Sequence, residues 1–304
     1  MKELTVLTPT YNRAKRLNKC YETLCKQTNK EFIWLIIDDG SIDDTEKVVA
    51  KWMTENKIEI KYYKKSNGGK HRAVNYGATF VDTKLTIILD SDDYLITTAI
   101  QDIYNLYNSS KNEKNICGFT FLKKYPDESL MGDRFPNNGR YNFIKWRVNG
   151  VVTGDQCDVV YSKYLKEYPF SEYDGEKYIG ESTLWIKLGQ KYDMICENKA
   201  IYVAEYLEGG LTKNGRIVRL KSPNGGMEYA NLCLIKRSSI KRKIKYAPIY
   251  VAYGLLSKKG ILEIIKEANT KINVLLAFPV GIYLRKKWRR EYKPVSYTHL
   301  RAHE

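Results

Sequence analysis

The chain has 304 residues, 43% hydrophobic and 28% charged, with a formal net charge of +16. That length fits one large domain or two modest ones, and the balance excludes a disordered chain and a multi-span membrane protein. The charge is lopsided: residues 1–230 carry 34 basic and 31 acidic side chains, residues 231–304 carry 17 and 4. A near-neutral globular part therefore precedes a basic one, where a polyanion or an anionic surface is expected to bind. Cysteines at 20, 25, 117, 157, 196 and 233 form no C-x-x-C pair, and three histidines are present. Neither structural zinc nor a disulfide framework is expected, and scattered thiols read as small buried hydrophobes of a reducing compartment. The apolar run Leu4–Leu7 is too short for a signal peptide, which points to the cytoplasm.

In chain order, strands are expected at Leu4–Thr8, Phe32–Ile37, Ile58–Tyr63 and Leu85–Leu89. Helices are expected between them, near Ala14–Gln27, Thr45–Glu55 and Lys70–Phe80. The second and fourth strands are apolar on both faces, as strands covered on both sides are. Strand–helix alternation implies right-handed crossovers and a parallel sheet, with ligands beyond the carboxyl ends of the strands. The strand-end loops are therefore the place to seek chemistry.

Asp90-Ser91-Asp92-Asp93 follows the fourth strand. It reads either as a turn with a helix N-cap or as carboxylates aimed at a hard divalent cation, Mg²⁺ or Mn²⁺, completed by substrate phosphates. Asp38-Asp39-Gly40-Ser41 follows the second strand. It is either an Asp-Gly turn with an N-cap, or an acceptor for the N–H and O–H groups of a base or ribose. Asn67-Gly68-Gly69-Lys70-His71 follows the third. It is a glycine turn or an anion cradle, and it is neither a Walker A motif nor G-x-G-x-x-G. Together an acidic loop, a carboxylate pair and a basic glycine loop suggest a nucleoside-diphosphate site.

In this order and spacing, Pro9-Thr10-Tyr11-Asn12-Arg13, Asp38-Asp39-Gly40-Ser41 with Asp43, and Asp90-Ser91-Asp92-Asp93 resemble the family 2 glycosyltransferases of the GT-A fold. The resemblance is strong over residues 1–105 and weaker to about Lys213. It implies an α/β fold, a Rossmann-like, mostly parallel sheet flanked by helices. Residues 1–105 would be the nucleotide-sugar-binding half, 106–225 the acceptor-binding half, and 226–293 a basic helical, membrane-associating extension. It also implies metal-dependent, inverting transfer from a nucleotide-sugar, most often a UDP-sugar, to a glycan or lipid-linked saccharide in surface polysaccharide synthesis. Carried over by residue, Thr10 and Tyr11 line the base pocket, Asp39 binds uracil, and Asp38 supports that loop. Asp92 and Asp90 hold Mn²⁺ or Mg²⁺, with Asp93 adjoining. Asn67, Gly68, Gly69, Lys70 and His71 lie near the diphosphate and sugar.

Inversion requires a carboxylate that takes the proton of the acceptor hydroxyl. The family's acidic motif matches Tyr178-Ile179-Gly180-Glu181-Ser182, where Ser182 replaces the second acid. Glu181 is the first candidate, with Asp155 and Asp174 in reserve. Lys70, with Arg216 or Arg219 from a glycine-rich lid at 209–216, would stabilise the leaving diphosphate. Trp146, Trp185, Tyr141, Tyr173 and Tyr178 fall where an acceptor sugar would stack, though such rings are more often core.

Two basic clusters, Lys236–Lys245 and Arg285–Arg290, flank the apolar run Ile272–Leu284. Thirteen residues with a Pro and a Gly are short of the ~20 needed to span a bilayer, and suit an interfacial helix on anionic lipid. The alternative is a set of helices packing on the catalytic domain with a solvated basic face. The resemblance, to a family many of whose members act on lipid-linked acceptors at the cytoplasmic leaflet, implies a place on the inner face of the cell membrane, without a nucleic-acid partner. The final residues, 294–304, break from the preceding composition, read as a non-native tail, and would leave the natural end missing. Two rivals remain. A sugar nucleotidyltransferase would place a Gly- and Lys-rich loop after the first strand. A basic nucleic-acid- or lipid-binding protein on a nucleotide-binding fold, without transferase activity, would account for the tail but not for the acidic loops.

Overall fold

The computed structural model describes residues 2–205 and 215–291, with the side chains of Gly215 and Arg216 excepted. The lid expectation, on 209–214 and the Arg216 side chain, lies outside the described residues, as does the tail 294–304. The chain divides into two compact units, 1–210 and 211–304.

The first unit is built on one sheet. Its strands are β1 (Leu4–Thr10), β2 (Phe32–Asp38), β3 (Glu59–Lys64), β4 (Leu85–Ile88), β5 (Tyr94–Leu95), β6 (Ile116–Lys124), β7 (Gly139–Tyr141), β8 (Gln156–Tyr161) and β9 (Asp193–Val203). The order is β3-β2-β1-β4-β8-β6-β9-β5, with β7 paired to β9. The four strands expected from the sequence, β1 to β4, are mutually parallel. Beyond β4 the sheet is mixed: β8 runs antiparallel to both β4 and β6, and β9 runs parallel to β6. Consequently the carboxyl ends of β1 to β4, β6 and β9 all open on one edge, where β8 begins. That edge gathers loops from both halves of the unit.

Helices cover both faces: α1 (Leu17–Cys25), α2 (Thr45–Glu55), α3 (Lys70–Ala78), α4 (Ala99–Ser109), α5 (Ser162–Glu167) and α6 (Ser182–Gly189), with a π-helical turn at Ile144–Val148. Side chains alternate between faces along a strand. On one face Trp34 of β2 stacks with Trp52 of α2 at 5.7 Å, and Tyr21 of α1 stacks on Trp52 at 4.5 Å. The Trp34 indole N–H donates to Thr8 Oγ1 at 2.9 Å, so burial leaves no polar group unpaired there. On the other face Gly77 of α3 packs against Leu7 and Ile37, where a Cβ would come within 2.6 Å of the Leu7 side chain. Phe119 and Phe121 of β6 are fully buried, each stabilising by about 1.5–3 kcal/mol. Helix α1 begins later than the sequence suggests because residues 13–17 turn instead, with the Arg16 and Leu17 N–H groups donating to the Arg13 carbonyl. All six cysteines are free thiols and five are buried.

The second unit is helical: α7 (Gly215–Leu220), α8 (Pro223–Leu232), α9 (Ile240–Leu256), α10 (Ile261–Glu267) and α11 (Lys271–Glu291). Tyr250, Val251, Met227, Ile264, Val274 and Trp288 form its core. Among the described residues no helix is long and apolar enough to cross a membrane.

Candidate active site

The first three strand-end loops are locked together. Asn12, at φ 52° in the left-handed region that Asn tolerates, donates its N–H to Ser41 Oγ and accepts from the Ile42 N–H. Asp43 accepts from the Ala14 and Thr45 N–H groups. Asp38 is fully buried and accepts from the Ser41 N–H at 2.7 Å and the Tyr62 hydroxyl at 2.6 Å. Asp38 thus ties its own loop to Ser41 and to Tyr62 of β3.

Asp39 does more within the protein than expected. Its carboxylate, 4% exposed, accepts from Lys65 Nζ at 2.9 Å, Asn67 Nδ2 at 3.1 Å, the Gly68 N–H at 2.9 Å and the Gly69 N–H at 2.7 Å. The two amides read as a phosphate cradle therefore donate to a carboxylate of the protein itself. Charge-assisted bonds of this kind hold a loop firmly. Thr10 and His71 are both 3% exposed, and neither the Thr10 hydroxyl nor either His71 ring nitrogen has a partner among the described residues. Burial, then neighbouring Arg72, lowers the His71 pKa, so the ring is neutral. Leaving buried polar groups unpaired costs about 1–3 kcal/mol each, which marks this loop cluster as built for more than stability. Tyr11 is 46% exposed beside it.

The acids of the fourth loop have three different environments. Asp93 is buried and accepts from the Tyr202 hydroxyl at 2.8 Å and the Glu205 N–H at 2.9 Å. Burial and then the charge of Asp90 push its carboxyl up to about 7. Asp90 is ion-paired to the Lys70 ammonium. Burial would raise its pKa, but Lys70 and Lys123 together pull it below the usual value. Among the described residues Asp92 is ion-paired only with the Arg13 guanidinium, at 3.8 Å, and burial and then Asp90 raise its pKa. The same Lys70 ammonium also pairs with Glu181, the residue before α6. Burial opposes the Lys70 charge, and Asp90 and Glu181 outweigh it. One cation therefore joins an acid of the loop after β4 to the acid that precedes α6.

The join is prepared along α3. Arg72 Nη2 donates to the Tyr173 carbonyl at 2.7 Å, and Asn75 donates to the Phe170 carbonyl and accepts from the Phe170 N–H. Lys177 Nζ donates to Asn67 Oδ1 at 2.6 Å. Gly69 sits at φ 96°, ψ 159°, with the Lys177 carbonyl 2.0 Å from where a Cβ would be. Only glycine adopts that backbone freely and only glycine allows that approach. Gly69→Ala is expected to destabilise the unit by about 1–3 kcal/mol and to loosen the segment leading to Glu181. A lowered urea midpoint together with lost turnover checks this.

Of the reserve acids, Asp155 has a side chain 71% exposed, 3.7 Å from Arg147, and Asp174 is exposed. Trp185 and Tyr141 are core residues, while Trp146, Tyr173 and Tyr178 are half-buried. Sequence reasoning missed Lys123 at the end of β6, Tyr202 at the end of β9 and Asp158 on β8. Lys123 lies 4.0 Å over the Tyr202 ring and stays charged because Asp90 and Glu181 outweigh its burial.

Burial pushes Asp158 up to about 6, although Thr120, Arg147 and Lys123 pull the other way. The unfolded value is about 3.9, so the folded state holds the proton more tightly. The stability this contributes is complete below about pH 4 and is lost as pH rises through about 6. Asp158→Asn is expected to flatten that stretch of the stability–pH curve, with its largest relative gain at neutral pH. Urea unfolding of both proteins at about pH 4.5 and about pH 7.5 measures it.

Among the described residues no group of three or more His, Cys, Asp or Glu converges as a closed metal site. Asp90 and Asp92 fit a more open one. Asp92 pairs weakly with Arg13, and burial and then the charge of Asp90 raise its pKa, whereas Asp90 would have to share its carboxylate with Lys70. Mg²⁺ or Mn²⁺ is commonly held by one or two carboxylates plus substrate phosphates.

Residues 5–160 match the family described as Glycosyl transferase family 2. The chain is 32% identical over 216 residues to the glycosyltransferase GlyG of Streptococcus pneumoniae, covering 66% of this chain and 70% of that protein. It is 25% identical over 307 residues to the minor teichoic acid biosynthesis protein GgaB of Bacillus subtilis, covering 99% of this chain but 31% of that protein. The chain thus spans about a third of the length of this relative. Staphylococcus aureus TarS 1–349, solved in complex with UDP-GlcNAc, superposes with a TM-score of 0.61 at 18% identity, covering 95% of this chain and 92% of that one. The likeness shows a shared GT-A fold.

Proposed function

Because the chain belongs to glycosyl transferase family 2, we propose that it transfers a sugar, with inversion, from a UDP-sugar to a glycan acceptor. The observation that carries this reading is the Lys70 ammonium shared by Asp90 and Glu181. Glu181 takes the proton of an acceptor hydroxyl as that oxygen attacks the anomeric carbon. The bond from that carbon to the diphosphate oxygen breaks on the opposite side, so configuration inverts and UDP leaves with the bonding electrons. Lys70 stabilises the charge that develops on the leaving group. Asp92 and Asp90 would hold Mn²⁺ or Mg²⁺, which supplies further charge neutralisation at the diphosphate. Thr10, Tyr11 and His71 bind the nucleotide-sugar beside them. For Asp39 to reach the base, it must exchange at least one bond to the glycine loop. GgaB and the UDP-GlcNAc held by TarS support surface glycopolymer synthesis and a UDP donor respectively. The basic second unit supports transfer to a lipid-linked acceptor at the inner face of the cell membrane.

A panel of UDP-sugars offered with short glycan acceptors tests the reading. One product with inverted anomeric configuration by NMR is expected. A product of retained configuration would remove Glu181 as the base, and turnover confined to GDP- or CDP-sugars would replace the nucleotide.

A further inference from the structure

We propose that α11 is an interfacial anchor that docks the second unit on an anionic lipid bilayer, with the first three turns inserted and the last two lying on headgroups. This rests on the membrane placement above, and names the surface that makes it. Residues 211–304 carry 21 Lys and Arg against 5 Asp and Glu, whereas residues 1–210 carry 30 of each. Exposed large apolar side chains are equally lopsided: of the 15 among the described residues, 11 lie in the second unit.

Along α11 these side chains are ordered. At about 100° per residue, Ile272, Leu275, Leu276, Val280 and Tyr283 fall on one stripe, and each is more than half exposed. Val274, Ala277, Gly281 and Trp288 fall on the opposite stripe and are buried. That inner stripe packs on α9, where a Cβ on Gly281 would meet Val251 at 2.5 Å and Trp288 lies 5.2 Å from Tyr253. The outer apolar stripe is thus not a core face waiting for its own unit, because the core is already on the other side. The same outer stripe continues into Lys286, Lys287 and Arg290, all exposed. Since Gly281 meets Val251 and Trp288 meets Tyr253, α9 and α11 advance in the same direction. The exposed Ile240, Lys241, Ile244 and Lys245 at the start of α9 therefore lie towards the inserted end of α11.

An apolar stripe that turns cationic along its length matches a bilayer with anionic headgroups. A second copy of the chain matches it less well, because face-to-face pairing would bring together two strongly cationic units. Nucleic acid would use the cations and leave the apolar stripe in water.

Flotation of the full chain with phosphatidylcholine vesicles, with and without phosphatidylglycerol, tests this. Binding is expected only when phosphatidylglycerol is present. L275D/L276D and K286E/K287E should each lose it, the latter by at least fivefold, the ratio for one cation near the surface. Both variants should keep the wild-type unfolding midpoint and UDP affinity, since all four side chains are exposed and far in sequence from the acids of the first unit. Loss of UDP binding by the wild type would count against the transferase reading and not against the anchor. Wild type that floats with neither vesicle, or variants that float as wild type does, would overturn the proposal. So would a wild-type dimer made monomeric by L275D/L276D, or RNA binding that the vesicles do not compete away.

Discussion

Glu181→Gln is expected to lower turnover by about 10²–10⁴-fold while leaving the affinity for UDP close to that of the unsubstituted chain. The amide keeps the shape of the carboxylate and still meets Lys70, but it accepts no proton from the acceptor hydroxyl. The loss should therefore appear in kcat and persist at saturating donor. Asp155→Asn is the comparison, because that side chain is 71% exposed and stands outside the ion pair to Lys70. It should retain most activity. A reversal, with Asp155→Asn inactive and Glu181→Gln active, would move the base to the other loop. Steady-state kinetics on the two variants, with UDP release as the readout, decides between them.

Lys70→Met is expected to cost about 10²–10³-fold in kcat, the range for removing one preorganised group that faces developing charge. Methionine keeps the apolar stem, so α3 and its contacts to residues 170–177 should survive. What disappears is the cation held between Asp90 and Glu181. Two carboxylates then face each other without it, and the departing diphosphate loses a positive partner. Because the interaction strengthens as the bond to the sugar breaks, kcat should fall more than KM for the donor rises. Lys70→Arg should recover only part of the loss, since a planar fork does not replace a compact ammonium between two acids. Equal activity of Lys70→Met and wild type would reduce Lys70 to a structural ion pair.

Much of the β1 to β4 region was legible because its signals are local. Apolar runs mark β1, β2 and β4, and the Asp- and Gly-rich stretches that follow them stand at strand ends, as expected. The roles within those stretches were less legible. Asp39 meets Gly68 and Gly69 across 29 and 30 residues of chain, and nothing in either loop announces that the glycine amides are already engaged. Lys123, Tyr202 and Asp158 escaped for a topological reason. Their place at the site depends on β8 entering the sheet antiparallel between β4 and β6, with β9 beyond, and strand periodicity carries no information on strand order. Glu181 was found by its resemblance to a motif, but its docking was not, because Gly69 and Lys177 are 108 positions apart. The apolar run in α11 showed from the sequence, and its outward face became visible only once Val274 and Gly281 were seen buried on the other side.

The most direct test is calorimetric titration of UDP into the full chain, with and without Mn²⁺, repeated on Asp92→Ala. The expected result is binding that strengthens markedly with Mn²⁺ and loses that enhancement in the variant. Binding of UDP that is indifferent to both the metal and the substitution would contradict the assignment of Asp92 and Asp90. An absence of UDP binding under either condition would contradict the placement of a UDP-sugar at these strand ends.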